Sequence, residues 1–120
     1  SGMIEEFQFA KSSGMHMYKF DVAAPLKEVL PSLAGRNVYV TIDIDVLDPA
    51  HAPGTGTAEA GGITSKEMLE AITAISNSGV NVVGADIVEV APAYDSSEQT
   101  QIAAAKFIRE ILLGWVNKSL

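Results

Sequence analysis

Asn37-Val-Tyr-Val-Thr-Ile-Asp43-Ile-Asp45-Val-Leu-Asp48-Pro-Ala-His-Ala-Pro-Gly-Thr-Gly-Thr-Ala-Glu-Ala-Gly-Gly62 is the stretch around which the chain is organised. Val38, Tyr39, Val40, Thr41 and Ile42 are β-branched or aromatic, the side chains that suit a pleated sheet. Charge then arrives abruptly at Asp43, Asp45 and Asp48. Pro49, Pro53, Gly54, Gly56, Gly61 and Gly62 punctuate a long shaped loop after it. An apolar strand that ends in carboxylates and opens into a rigid loop is how open α/β sheets build sites. Ligands sit beyond the carboxyl ends of such strands.

The spacing of the acids carries the chemistry. The pattern predicts a strand over 37–45, and in a strand residues i and i+2 point the same way. Asp43 and Asp45 are then expected to aim at one point, roughly 6–7 Å apart along the backbone. Carboxylates that close repel unless one is protonated or a cation lies between them. Hard divalent ions such as Mg²⁺ or Mn²⁺ are the usual solution. A lone strand-end aspartate reads as a solvated turn former. Asp-x-Asp at the end of an apolar strand points to metal or phosphate chemistry.

Outward from the strand, the loop from Val46 to Ile63 is eighteen residues, a length that is usually functional. Asp48 precedes Pro49, so its carboxylate is expected to cap nearby amides in an Asx-turn rather than bind metal. His51, between two alanines, reads as peripheral. Gly54-Thr55-Gly56-Thr57 can line a small-molecule pocket or form a plain turn-rich wall. The loop is not a phosphate cradle: no lysine follows Gly61 or Gly62 as a P-loop requires, and Gly54-x-Gly56 lacks the third glycine of a dinucleotide fingerprint. Three nearby carboxylates would also repel phosphate unless a metal intervened.

The rest alternates helix and strand. Residues 4–13 read as a short helix stopped by Ser13-Gly14, and Met15 to Phe20 as a short strand holding His16, a strand residue rather than a ligand. Pro25 suits the first turn of a helix carrying Leu26, Val29 and Leu30, interrupted at Pro31 and closed at Gly35. Thr64 and Glu67 form a capping box, followed by Met68, Ile72 and Ile75 on one face. Asn81 to Val90 is a nearly continuous apolar strand, which suits a parallel sheet covered on both faces. Within it Asp86 reads as a hydrogen-bonded structural acid, and Glu89 as an acid near the strand end, on the side opposite to Asp86. Ser96 and Gln99 are expected to cap a last helix whose core face is Ala104, Ile108, Ile111, Leu112 and Trp115. Three strands alternating with helices imply an α/β fold of three layers, α/β/α, around a parallel sheet.

Composition bounds the function classes. The 120 residues permit one domain, and 48% hydrophobic content is enough for a core. A net charge of −7 argues against nucleic-acid binding and suits a cationic substrate. With no cysteine there is neither a disulfide framework nor a thiolate metal site, which fits the cytoplasm. No stretch is long enough for a membrane span, and Ser1-Gly2-Met3 followed by Ile4-Glu5-Glu6 has the wrong charge for a signal peptide.

Asp43-Ile-Asp45-Val-Leu-Asp48-Pro49, Pro53-Gly54-Thr55-Gly56-Thr57 and Gly61-Gly62 together resemble the signature of the ureohydrolases, the arginase and agmatinase enzymes. The wording is more similar to agmatinase. Gly84-Ala85-Asp86-Ile87-Val88-Glu89-Val90-Ala91-Pro92 resembles the family's last strand, and Glu5 to Lys11 a family helix. Ala58 and Ala60 stand where relatives often carry proline. The resemblance implies that residues 1–120 are the C-terminal portion of a single arginase-like domain, whose whole chain is commonly about 300 residues. It implies two Mn²⁺ ions, with Asp43 and Asp45 as metal ligands and Glu89 gripping a cationic guanidino substrate. It implies release of urea and an amine, as in agmatine hydrolysis to putrescine. The family's other ligands, a histidine and an Asp-x-His-x-Asp segment, and its catalytic histidine are not in this sequence. The chain alone is therefore expected to be inactive, with no catalytic residue of its own. An unpaired sheet edge and apolar helix faces predict self-association into a homo-oligomer.

Two other classes compete. A Mg²⁺-dependent phosphatase of the haloacid dehalogenase type also ends an apolar strand in Asp-x-Asp, but usually continues with Gly-Thr or Gly-Val, where Val46-Leu47 stands here. A non-catalytic metal-binding module would use the same acidic edge.

Overall fold

The two apolar runs lie side by side. In the computed structural model, which describes residues 3–115, β1 (Asn37–Asp43) and β2 (Asn81–Val88) form a two-stranded parallel sheet. The register pairs Val40 with Ala85, Thr41 with Asp86 and Asp43 with Val88, after an irregularity between Val38 and Tyr39. Around the sheet run α1 (Ile4–Ser12), α2 (Ala23–Val29), α3 (Ser65–Ser76) and α4 (Gln99–Trp115). Short 3₁₀ turns occupy Leu30–Leu33, Ile44–Val46 and Pro92–Tyr94. The α/β architecture with a parallel sheet is as the sequence predicts.

Most element boundaries follow the local chemistry. Pro25 sits in the first turn of α2, and Pro31 converts its end to a 3₁₀ turn. Thr64 accepts the Glu67 N–H at 3.1 Å while the Glu67 carboxylate accepts the Thr64 N–H at 2.7 Å, the reciprocal box that starts α3. Met68, Ile72 and Ile75 are buried, as their spacing implies. Gly14, with φ +76°, takes the left-handed conformation that ends α1.

Several expectations differ. Met15 to Phe20 is irregular, because among the described residues no backbone ladder pairs with it. β1 stops at Asp43, where the Asp43 carboxylate accepts the Asp45 N–H and curls the chain into the 3₁₀ turn. β2 stops at Val88, because Glu89 takes φ +64° and cannot continue a strand. The buried face of α4 is Thr100, Ala104, Phe107, Ile111 and Trp115, while Ile108 and Leu112 are exposed. That helix is apolar on more than one side, and the contact with α3 chooses. A Cβ on Gly114 would lie 2.4 Å from the Ser76 hydroxyl, so the two helices meet closely at that glycine.

The core is one cluster. Ile42, Ile44 and Leu47 pack with Met68, Ile72 and Ile75 of α3 and with Phe107, Ile111 and Trp115 of α4. Val40, Val82 and Ile87 add the sheet face that these helices cover. The other face carries Tyr39, Thr41, Asp43, Asp86 and Val88, and Tyr39 there is 60% exposed. Among the described residues β2 is thus packed on one face rather than two. The body measures 42 × 41 × 20 Å, a slab rather than a ball. At the open edge of β1 an apolar groove of about 360 Å³ is bordered by Val22, Leu26, Val40, Met68 and Ile72. Among the described residues no helix is long and apolar enough to cross a membrane. The residues Ser1 and Gly2, used above for the leader reading, lie outside the described ones.

Candidate functional site

Asp43 stands at the carboxyl end of β1 and Asp45 in the 3₁₀ turn after it. The i, i+2 strand argument therefore does not place Asp45. The turn does, since the Asp43 Oδ1 accepts the Asp45 N–H at 3.1 Å. The two side chains still interact, and Glu89 is near enough for its charge to act on Asp43. Burial holds the Asp43 carboxyl above its usual range. The Asp45 N–H opposes this, while the charges of Asp45 and Glu89 add to it. Among the described residues the ion pairs are Lys66–Glu70 and Lys106–Glu110, neither of which involves this trio.

The loop after the acids is tied back onto them. Thr57 donates its hydroxyl to Asp45 Oδ2 at 2.6 Å, which fixes one oxygen of that carboxylate. Asp48 takes the capping role expected of it: Oδ1 accepts the Ala50 N–H and Oδ2 the Gly61 N–H, both at 2.9 Å. Those amides hold its pKa below the usual value. Ile63 N–H to Val46 O at 3.0 Å and Asp48 N–H to Ile63 O at 2.9 Å close the loop at its base. His51 faces Ser65 at the start of α3, with Nδ1 3.0 Å from the Ser65 hydroxyl. Asp86 accepts the hydroxyls of Tyr39 at 2.7 Å and Thr41 at 2.6 Å, and these bonds lower its pKa, the structural role its place in the strand suggested.

Glu89 is presented by a left-handed residue, an uncommon conformation for a side chain of its size. Strain of this kind concentrates at functional positions. The turn is held by the Ala91 N–H, which bonds Gly54 O at 2.8 Å. Thr57 on Asp45 and the Gly54–Ala91 bond were not legible in the sequence. The Gly-Thr-Gly-Thr pattern suggested hydroxyls near a site without saying which one reaches an acid.

At the head of α4 the first helix amides are taken not by Ser96 but by Ser97, whose hydroxyl accepts the Gln99 N–H at 3.3 Å, and by Asp95. Its Oδ1 accepts the Ser97 hydroxyl at 2.6 Å and the Ser97 N–H at 3.0 Å, and its Oδ2 accepts the Thr100 N–H at 2.7 Å. The Ser97 hydroxyl, then the Thr100 amide, draw the Asp95 pKa from 3.8 to about 2. A lowered carboxyl adds stability that is complete above its unfolded pKa and fades as the pH falls toward its folded value. The melting temperature of the wild type should exceed that of Asp95→Asn at pH 6, with the gap closing between about pH 4 and pH 2. A gap that is unchanged across that window would contradict the assignment.

Comparison with known proteins bears on what this arrangement serves. The Arginase family model matches residues 1–114. The agmatinase of Halalkalibacterium halodurans is 80% identical over 116 residues, 97% of this chain and 40% of that protein. The crystal structure of a Clostridium difficile protein provisionally named an agmatinase superposes with a TM-score of 0.93 at 40% identity, covering 100% of this chain and 44% of its own. The arginase of Bacillus caldovelox superposes with a TM-score of 0.83 at 27% identity, covering 92% of this chain and 40% of its own. The chain spans about two fifths of the length of the agmatinases of Halalkalibacterium halodurans and Bacillus subtilis.

Proposed function

The chain belongs to the arginase family, and from that premise we propose that Asp43, Asp45 and Glu89 are its share of the active site of a manganese-dependent ureohydrolase. The observation that carries this reading is the Asp43–Asp45 pair at the carboxyl end of β1, with Asp43 raised by burial and then by the charges of Asp45 and Glu89. Such a place gains by accepting a cation. An all-oxygen donor pair suits a hard or borderline ion such as Mn²⁺. Among the described residues no group of three or more His, Cys, Asp or Glu is arranged to hold an ion. In this reading Asp43 and Asp45 would supply two donors of a larger ligand set for two Mn²⁺ ions, the rest coming from outside this chain.

The chain's own residues have separate tasks in this reading. Asp43 and Asp45 hold the metal, which when bound supplies the activation of water at neutral pH. Thr57 fixes one Asp45 oxygen, so the other would be the one offered to an ion. Glu89 accepts the planar fork of guanidinium donors two at a time and so orients the carbon to be attacked. The products are urea and an amine. The substrate we favour is agmatine, giving putrescine, because the agmatinase relatives match at high identity. The compartment in this reading is the cytoplasm. The partner is a second copy of the protein, since Phe9, Phe20, Ile102 and Leu112 are exposed. A net charge of −7 suits a cationic substrate and not nucleic acid.

The test joins this chain to the remainder of the Halalkalibacterium halodurans agmatinase, the part that lies outside the match. With Mn²⁺ the joined protein should release urea from agmatine, and the 120-residue chain alone should release none. Turnover by the chain alone would overturn the incomplete-site reading. A folded, Mn²⁺-loaded joined protein that is silent on agmatine, guanidinobutyrate and arginine would overturn the ureohydrolase reading.

A further inference from the structure

We infer that Thr100 and Asp95 are positioning residues for the acid site, acting through the backbone of Gly54. The inference rests on the reading of Asp43, Asp45 and Glu89 given above. The contacts form a continuous relay. Asp95 Oδ2 accepts the Thr100 N–H at 2.7 Å, Thr100 Oγ1 accepts the Gly54 N–H at 2.7 Å, and Gly54 O accepts the Ala91 N–H at 2.8 Å. Thr100 is 0% exposed and Asp95 6%. The relay leaves no slack: a Cβ on Gly54 would lie 2.8 Å from the Asp95 Cβ and 2.9 Å from the Thr100 hydroxyl oxygen.

Both arms of the site hang from it. Three residues after Gly54, Thr57 reaches Asp45. Two residues before Ala91, Glu89 makes its left-handed turn with φ +64°. The head of α4 therefore fixes the loop that grips one metal-site acid and the turn that presents the substrate-site acid. Apolar packing would also hold α4 against the loop and would avoid burying a carboxylate, which is costly without full hydrogen bonding. Hydrogen bonds add direction and register, which is what two arms converging on one point require.

The test is residue-resolved amide hydrogen exchange on the chain carrying Thr100→Val, Thr100→Ser or Asp95→Asn. Thr100→Val keeps the shape and removes the acceptor for Gly54. Exchange should quicken about tenfold or more at the bonded amides of Gly54, Thr55 and Ala91, with α3 unchanged. Thr100→Ser should restore the wild-type pattern. Asp95→Asn, which keeps one acceptor oxygen, covers the case in which the valine variant does not fold, and should loosen the same two segments. In the joined protein Thr100→Val should lower kcat/KM about tenfold or more with Mn²⁺ saturating, again restored by serine. Exchange that rises evenly through α3 and α4, or not at all at Gly54 and Ala91, overturns the inference. A silent joined protein with the local exchange pattern intact would count against the ureohydrolase reading and leave the relay standing.

Discussion

Asp43→Asn and Asp45→Asn, placed one at a time in the joined protein, should each lower kcat/KM for agmatine by about a thousandfold or more. The size follows from the chemistry of the site. Asparagine keeps the volume and one carbonyl oxygen but removes the charge that a divalent ion needs, and activating water depends on that ion staying bound and correctly placed. Asp48→Asn separates the effects. It loosens the loop base, where Asp48 accepts the amides of Ala50 and Gly61, but removes no acid from the proposed ligand pair. Its cost should appear mainly as a lower melting temperature. Steady-state kinetics over a Mn²⁺ titration, with metal content measured on the same samples, distinguishes the two outcomes. If the Asp45 variant held its metal and turned over within a few fold of wild type, the assignment of that residue would fail.

The second large effect is steric. Gly62→Ala should destabilise the chain by about 2–4 kcal/mol. A Cβ at that position would lie 2.4 Å from the Asp48 nitrogen, 2.5 Å from the Leu47 carbonyl carbon and 2.6 Å from the Val46 carbonyl oxygen. All three are backbone atoms of the segment directly after Asp45, so nothing flexible can yield. The melting temperature should fall by about 10 °C or more. Gly56→Ala is the control, because a Cβ there meets nothing within 4 Å, and it should change the melting temperature little. Equal melting of the two variants would show that residues 46–48 relax more easily than the close approach implies.

Much of the fold could be read from residues whose local and tertiary demands agree. Thr64 and Glu67 cap α3 with no help from elsewhere, and Met68, Ile72 and Ile75 have one plausible buried face. Asp48 and Asp86 were legible because a carboxylate within reach of amides or hydroxyls has an evident use. The misreadings fall where distant partners decide. Met15 to Phe20 has strand composition, but a strand exists only where another strand pairs with it. In α4, Phe107 and Ile108 are equally apolar neighbours, and the close contact of Gly114 with Ser76 settles which one faces inward. The acid pair was recognised by spacing although its geometry is a turn rather than a strand, since an N-cap carboxylate bonds the amide two residues on. The Asp95–Thr100–Gly54 relay had no signal of its own. Three residue types that are individually common come together there across 46 positions of chain.

The Asp48 carboxylate grips both feet of the loop, and residues 57–61 beyond its tight inner part are exposed. A carboxylate staple of this kind separates two evolutionary pressures. Inserting or exchanging residues at 58–60 adds only a slowly growing closure entropy and transmits little force to Asp43. The tip is therefore free ground on which descendants can remodel what approaches the acids, while the acids themselves stay where β1 delivers them.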